Sequence, residues 1–167
     1  SDPSLLLDQR HLALRGDALS AVMKVRAALL KSVRRVYDEE HLTEVTPPCM
    51  VQTQVEGGST LFKMNYYGEE AYLTQSSQLY LETCLASLGD VYTIQESFRA
   101  EKSHTRRHLS EYTHIEAELA FLTFDDLLQH IETLIVKSVQ YVLEDPIAGP
   151  LVKQLNPNFK APKAPFM

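Results

Sequence analysis

Between residues 90 and 118 the chain joins clustered cations to two runs that are typical of β-strands. The first run, Val91–Ile94, leads to Arg99 and Glu101, and the second, Tyr112–Glu118, alternates as a strand does. A short basic loop connects them, and its members include Arg106, Arg107 and His108. Guanidinium groups fork onto phosphate oxygens, and an aromatic face can stack on a purine. The spacing predicts a hairpin that binds a triphosphate and a base, although an exposed basic turn explains the loop residues taken alone.

A second polar cluster lies where a predicted strand runs into a predicted helix. The helix is expected over residues 77–88, because apolar residues recur there at helical spacing and Gly89 follows. Backbone N–H groups at such a junction lie beside Ser76 and Gln78, which suits a small polar ligand. An ordinary polar cap over an apolar helix is the alternative, and the residues alone do not separate the two.

These polar groups require a framework of helices and strands. The patterns predict an amphipathic helix over 18–40, a strand over 45–48, a hairpin of 61–65 with 71–74, and a helix that begins at Thr123. From Pro146 onward, five prolines and few apolar clusters predict a linker-like tail without a further element. Because the strands are joined without βαβ alternation, the expected fold class is α+β, with an antiparallel β-sheet flanked by helices.

The composition is that of an ordinary globular domain, with 44% apolar and 23% charged residues in 167. A formal net charge of −6 gives no bulk basic field, so any contact with nucleic acid would be local. The two cysteines lack metal spacing and favour a reducing compartment. His104 and His108 lie four apart, but in a loop-like run, so no metal site is predicted. We expect a cytoplasmic protein that binds neither membrane nor DNA.

The hairpin residues resemble a known family. The run Phe98–Glu101, followed by Arg106–Leu109 and Glu111–Glu116, is similar to motif 2 of class II aminoacyl-tRNA synthetases, in the subgroup for aspartate, asparagine and lysine. The resemblance implies that Arg99 is catalytic and contacts the α-phosphate, where negative charge moves during activation. It implies a set of ATP-binding residues, which are Arg99, Glu101, Arg107, His108 and Tyr112.

The resemblance also implies an amino-acid pocket. Its expected residues are Glu56, Ser76, Gln78, Leu81 and Glu116. Glu56 lies in a run similar to the family's flipping loop, where paired glycines allow closure. Glu56 and Glu116 would meet the α-ammonium group of the substrate. Leu81 stands where aspartate enzymes of the family carry lysine, so a buried substrate carboxylate would lack its counter-charge there. The resemblance therefore favours asparagine as the amino acid.

The predicted helix over 18–40, followed by Pro47, is similar to the family's motif 1. In the family this motif forms a dimer interface, which implies a homodimer with Arg26 and Pro47 in the contact. The resemblance begins near residue 15, so we expect 1–14 to be a leader or linker and 15–167 to be part of a catalytic domain. The family's motif 3 and its acidic Mg²⁺ ligands are expected beyond residue 167.

The reaction that the resemblance implies is ATP-dependent ligation of asparagine to tRNA(Asn), through an asparaginyl-adenylate. Without motif 3, these 167 residues are expected to be inactive or feeble on their own. An ATP-dependent asparagine synthetase on the same core is an alternative, as is an aspartate-specific enzyme. A non-catalytic fragment that dimerises or binds a partner is the alternative from another class.

Overall fold

The computed structural model describes residues 3–53, 60–103, 105 and 107–166. Along the chain the elements are α1 (Pro3–Asp8), α2 (Arg10–Ala13), α3 (Asp17–Glu39), β1 (Thr43–Glu44), β2 (Met50–Val51), β3 (Lys63–Tyr66), β4 (Glu69–Leu73), α4 (Gln78–Leu88), β5 (Val91–Phe98), β6 (Glu111–Glu118), α5 (Phe124–Glu144) and α6 (Ala148–Leu155). They divide into two compact units. A helical unit contains residues 1–40 and 122–167, and a sheet unit contains residues 41–121.

The sheet unit holds two three-stranded sheets. In one sheet the strand order is β1-β5-β6, with β1 parallel to β5 and β5 antiparallel to β6. In the other sheet the order is β2-β4-β3, and both pairs are antiparallel. A small apolar cluster of Val51, Leu61 and Tyr72 packs with Tyr80 of α4. The predicted α+β class with antiparallel pairing is confirmed.

The helical unit is built on α3, α5 and α6, which pack against one another. Ala28, Val142 and Ala148 form its buried cluster, one from each of these helices. Gly149 allows the close approach of α6 to the end of α5, because a Cβ atom there would lie 2.3 Å from the Leu143 carbonyl oxygen. Within the described residues, no helix is both long enough and apolar enough to cross a bilayer.

Several predicted elements are confirmed. The helix expected over 18–40 is α3, the hairpin is β3 with β4, and the helix expected over 77–88 is α4. Thr123 caps α5 through a capping box, in which its hydroxyl accepts from the Asp126 N–H while the Asp126 carboxylate accepts from the Thr123 N–H. These elements have clear local signals, so their positions follow from periodicity and capping.

Two expectations about the framework are wrong. The strand expected over 45–48 lies earlier, at Thr43–Glu44, because prolines at 47 and 48 have no N–H to donate to a ladder. The tail contains α6, and Pro150 lies in its first turn, where a helix needs no backbone N–H from it. The apolar residues of α3 and α5 are, in addition, only partly buried. The exposed ones are Val22, Met23, Leu29, Phe124, Leu127 and Ile135.

The segment expected to be a leader or linker contains the short helices α1 and α2, and its described side chains are mostly exposed. The division into 1–14 and 15–167 stays a prediction.

Candidate active site

The centre of the sheet unit is the hairpin of β5 and β6, which pair over eight residues from Val91 opposite Glu118 to Phe98 opposite Glu111. Pairing continues one step further, since the Arg99 N–H donates to the Ser110 carbonyl at 2.9 Å. Arg99 is therefore held at the end of an ordered ladder, next to the basic loop. This backbone anchoring fixes the base of its long side chain.

A cavity of about 530 Å³ opens beside this end of the hairpin, and we call it the loop-side cavity. It is lined by Arg99, Glu101, Arg107, His108, Leu109 and Tyr112. The structure thus brings together all five residues for which ATP binding was predicted. Arg106 and His104 lie outside the described residues. Two guanidinium groups and an aromatic ring around one space suit a polyanion that carries a base.

Local contacts orient several of these groups. The Arg99 Cζ atom lies 5.9 Å from the centroid of the Tyr112 ring, within the range of a cation–π interaction. The His108 Nε2 atom lies 3.8 Å from Glu101 Oε2, and His108 Nδ1 contacts the hydroxyls of Ser103 and Thr105. The contact between Glu101 and His108 thereby joins the two sides of the hairpin loop.

A second cavity, of about 430 Å³, lies between α4 and β6, and we call it the helix-side cavity. It is lined by Ser76, Gln78, Leu81, Arg99, His114, Ile115, Glu116, Ala117 and Glu118. Four of the five residues predicted for the amino-acid pocket are among them. The fifth, Glu56, lies with Gly57 and Gly58 outside the described residues.

Glu116 is the most heavily contacted group in the helix-side cavity. Its carboxylate accepts from the Ser76 hydroxyl at 2.5 Å and from the Ser77 N–H at 2.9 and 3.2 Å. His114 Nδ1 lies 3.3 Å from Oε2, which is also the nearer acceptor of the Ser77 N–H. Ser77 is itself tied to β5, because Gln95 donates from its amide to the Ser77 hydroxyl at 3.0 Å. The start of α4 is therefore fastened to the hairpin through this carboxylate.

The electrostatics of the helix-side cavity favour a cationic or neutral guest over an anionic one. Burial of the Glu118 carboxyl raises its pKa, and the neighbouring Glu82 and Glu116 carboxylates raise it further. Leu81 is almost completely buried in the wall, where it offers no charge. Arg99 is the one lining residue with a permanent positive charge among those described.

Arg99 lines both cavities. A guanidinium at this junction can contact an anionic group on the loop side while a small ligand with an ammonium lies on the helix side. Such a cation is well placed to neutralise charge that develops where two ligands meet. The arrangement suits the joining of a small amino compound to a polyphosphate.

Two residues that sequence reasoning missed as site members are His114 and Glu118. Both lie on the face of β6 that also carries Tyr112 and Glu116, since side chains two apart share a face of a strand. The alternation of β6 could have found them, because it groups all four residues.

The predicted dimer residues are not among those that line the two cavities. Arg26 is exposed on α3 in the helical unit, and Pro47 is half-buried after β1 in the sheet unit. Their role in a dimer contact stays a prediction. Among the described residues, no group of three or more histidine, cysteine, aspartate or glutamate side chains could hold a metal ion.

Comparison with known proteins assigns the family. Residues 2–164 match the model of the class II tRNA synthetases for D, K and N. The chain belongs to this family. The similarity to class II synthetases, first noted for the hairpin residues, thus extends over nearly the whole chain.

Individual members of this family are similar to the chain along nearly its whole length. The chain is 78% identical over 166 residues to the cytoplasmic asparagine–tRNA ligase of Debaryomyces hansenii, and 56% identical over 166 residues to that of Homo sapiens. Each match covers 99% of this chain and 30% of the relative, so the chain spans about a third of their length.

A solved asparaginyl-tRNA synthetase of Entamoeba histolytica, in complex with asparaginyl-adenylate, superposes with a TM-score of 0.90 at 42% identity. The match covers 99% of this chain and 36% of that one. The asparaginyl-tRNA synthetase of Pyrococcus horikoshii, also complexed with asparaginyl-adenylate, superposes with a TM-score of 0.87 at 43% identity over 92% of this chain and 35% of that one. The fold described here is therefore that of a class II synthetase catalytic core, in part.

Proposed function

We propose that this chain forms part of the catalytic domain of an asparagine–tRNA ligase. The substrates are ATP, asparagine and tRNA(Asn). Named relatives with this activity support the proposal across 99% of the chain. The observation that carries it is the position of Arg99, which lines both the loop-side and the helix-side cavity.

In the proposed reaction, ATP occupies the loop-side cavity and asparagine occupies the helix-side cavity. A carboxylate oxygen of asparagine attacks the α-phosphorus of ATP. The bond between that phosphorus and the oxygen that it shares with the β-phosphate breaks, and pyrophosphate leaves with the electrons of this bond. Arg99 contacts the α-phosphate and stabilises the charge that gathers on its oxygens. No protein nucleophile takes part, because alignment and charge neutralisation supply the catalysis.

The remaining residues of the loop-side cavity hold the nucleotide. Arg107 and His108 contact the β- and γ-phosphates, Tyr112 stacks on adenine, and Glu101 binds at the adenine or ribose end. The exposed side chains of Arg107 and His108 are well placed for phosphates, and the half-buried Tyr112 ring is well placed for the base.

The helix-side cavity selects asparagine. Ser76 and Gln78 line the side near α4, and Glu116 and Glu56 receive the α-ammonium group. An aspartate side chain would bring a carboxylate next to Leu81 and close to Glu118, where Leu81 offers no cation to replace its lost hydration and Arg99 is engaged by the α-phosphate. A neutral carboxamide avoids most of that cost.

In the second half-reaction, a hydroxyl of the 3′-terminal ribose of tRNA(Asn) attacks the carbonyl carbon of the adenylate, and AMP leaves. The full protein is proposed to be a cytoplasmic homodimer, in which Arg26 and Pro47 lie at the contact. The names of its relatives include the word cytoplasmic. Magnesium would neutralise ATP phosphates. Among the described residues, no group of three or more histidine, cysteine, aspartate or glutamate side chains could hold it. Its protein ligands are proposed beyond residue 167 because the family resemblance implies acidic ligands there.

The test is ATP–pyrophosphate exchange by the full-length protein, with asparagine and aspartate measured side by side. We expect exchange with asparagine and a kcat/KM for aspartate lower by at least about 100-fold, because the unpaired substrate charge costs several kcal/mol. Exchange that prefers aspartate would contradict the proposed amino acid. Exchange with neither amino acid would contradict the proposed reaction.

A further inference from the structure

His114 occupies the middle of the substrate-facing side of β6. Its ring centroid lies 5.2 Å from that of Tyr112, and its side chain, about a quarter exposed, lines the helix-side cavity together with Glu116. It is thus the group between the aromatic ring proposed for adenine and the carboxylate proposed for the amino acid.

Two partners meet the same ring nitrogen of His114. Nδ1 lies 2.9 Å from Ser97 Oγ and 3.3 Å from Glu116 Oε2. An ionised carboxylate can only accept hydrogen bonds, and a lone pair on Nδ1 would repel it. The proton therefore belongs on Nδ1, where it bonds to the serine oxygen and faces the Glu116 carboxylate in an electrostatic contact.

Ser97 is well suited to hold the ring. It lies on β5, is completely buried, and is paired in the ladder opposite Tyr112. A rigid buried hydroxyl restricts the rotation of the His114 ring at low entropic cost. Ser97 thus holds the His114 ring from β5, and the position of the ring sets the contact between Nδ1 and Glu116.

Glu116 is consequently contacted from α4 and from its own strand. Ser76 donates to Oε1 and the Ser77 N–H reaches both oxygens from the start of α4, while His114 contacts Oε2 from β6. Without His114, Oε2 keeps only the Ser77 N–H among these partners. We propose that His114 is a positioning residue, whose Nδ1–H, held by Ser97, orients the Glu116 carboxylate for the α-ammonium of the amino acid. This inference rests on the proposed function.

The test compares two substitutions that retain different nitrogens. In the full-length protein, His114→Asn places an amide nitrogen near the position of Nδ1, whereas His114→Gln places one near the position of Nε2. His11→Asn, at an exposed histidine of α2, is the matched control. The KM values for asparagine and for ATP, and kcat, are measured separately by pyrophosphate exchange.

We expect His114→Gln to raise the KM for asparagine by about 10-fold or more, since the electrostatic contact of Nδ1–H with the Glu116 carboxylate and the bond to Ser97 are both lost. His114→Asn is expected to recover most of that loss, and the KM for ATP to change by less than about 3-fold in both. An equal loss in the two variants, or an equal rise in both KM values, would overturn the positioning role, because general disruption of the strand affects both substrates.

Ser97→Ala provides a second test that deletes only one oxygen from a buried site. We expect the KM for asparagine to rise by about 3-fold or more, because the ring of His114 loses its anchor. An unchanged KM for asparagine in this variant would overturn the proposal. Failure of the proposed function is distinguishable, since the unsubstituted protein would then show no exchange with asparagine.

Discussion

At the scale of single residues, Arg99 is the group on which the proposed chemistry depends most. Its backbone is fixed by the bond to Ser110, and its side chain reaches both cavities. We expect Arg99→Lys to lower kcat/KM for exchange by about 100-fold or more, because a point charge cannot replace the planar fork on a phosphate. The measurement is pyrophosphate exchange by the full-length variant.

The control for this substitution is Lys102→Arg, in the same stretch but outside both cavities. Retention of more than about a third of kcat/KM by Arg99→Lys would show that the guanidinium geometry is not used.

Leu81 is predicted to decide the choice of amino acid. It is buried in the wall of the helix-side cavity, and Leu81→Lys would place an ammonium group there. We expect the preference for asparagine over aspartate to fall by about 10-fold or more, because the new cation can pair with a substrate carboxylate. The ratio of kcat/KM for the two amino acids measures this change.

Leu81→Met is the matched control, since it keeps volume and neutrality. An unchanged preference in the lysine variant, with the ammonium paired to Glu82 or Glu118, would contradict the expectation that Leu81 sets the specificity.

Glu118 gives a prediction about pH. Burial and the nearby Glu82 and Glu116 carboxylates raise its pKa in the folded state, so the folded chain retains a proton that the unfolded chain has already released. The protonated Glu118 carboxyl therefore favours the folded state at low pH. This contribution to stability is lost as pH rises from its unfolded-state pKa through its raised folded-state pKa. We expect Glu118→Gln to increase the free energy of unfolding at pH 7, with a gain that shrinks towards pH 4.

The measurement is urea unfolding of both forms across that pH range, with Glu111→Gln, at an exposed glutamate of the same strand, as control. A gain that is constant with pH, or equal in the two variants, would contradict a specific effect of the Glu118 environment.

At the scale of elements, the sequence is most informative where the signal is local. The alternation of β6 and the capping residues of α5 are local, and both elements lie where their patterns predict. Proline content misleads for the tail, because Pro150 is compatible with a first helical turn and the Asp145 carboxylate accepts from the N–H groups of Ile147 and Ala148 at the start of α6.

Other features of the framework depend on the whole fold. The apolar stripe of α3 is partly exposed because only some of its residues meet other helices. Periodicity identifies an apolar face, but it does not show what covers that face. In the site, the family resemblance predicts residues that line both cavities. The alternation of β6 places His114 on the same face as Glu116, but its pairing with Ser97 and Glu116 is visible only in the structure.

The capping box of α5 gives a prediction at this scale. Thr123→Ala removes the hydroxyl that accepts from the Asp126 N–H, and we expect the free energy of unfolding to fall by about 1 kcal/mol. Thr123→Ser keeps the hydroxyl and is expected to retain most of the stability. Urea unfolding measures both, and equal losses in the two variants would contradict a capping role.

At the scale of the whole molecule, the deciding fact is that the chain spans about a third of the length of the relatives it matches. The two cavities bring together most of the residues predicted for ATP and asparagine, while the described part of the chain contains no group of three or more histidine, cysteine, aspartate or glutamate side chains that could hold a metal ion. We therefore expect these residues to bind parts of the substrates without completing the reaction.

This expectation is tested by comparing the 167-residue chain with the full-length protein in asparagine-dependent pyrophosphate exchange. The chain alone should retain less than about 1% of kcat/KM, because the loss of even one electrostatic group at a transition state costs about 10² to 10³ in rate. Circular dichroism and cooperative urea unfolding of the chain separate an incomplete site from an unfolded one. A folded chain with exchange within about 10-fold of the full-length protein would instead mean that Arg99 and the two cavities suffice for adenylate formation.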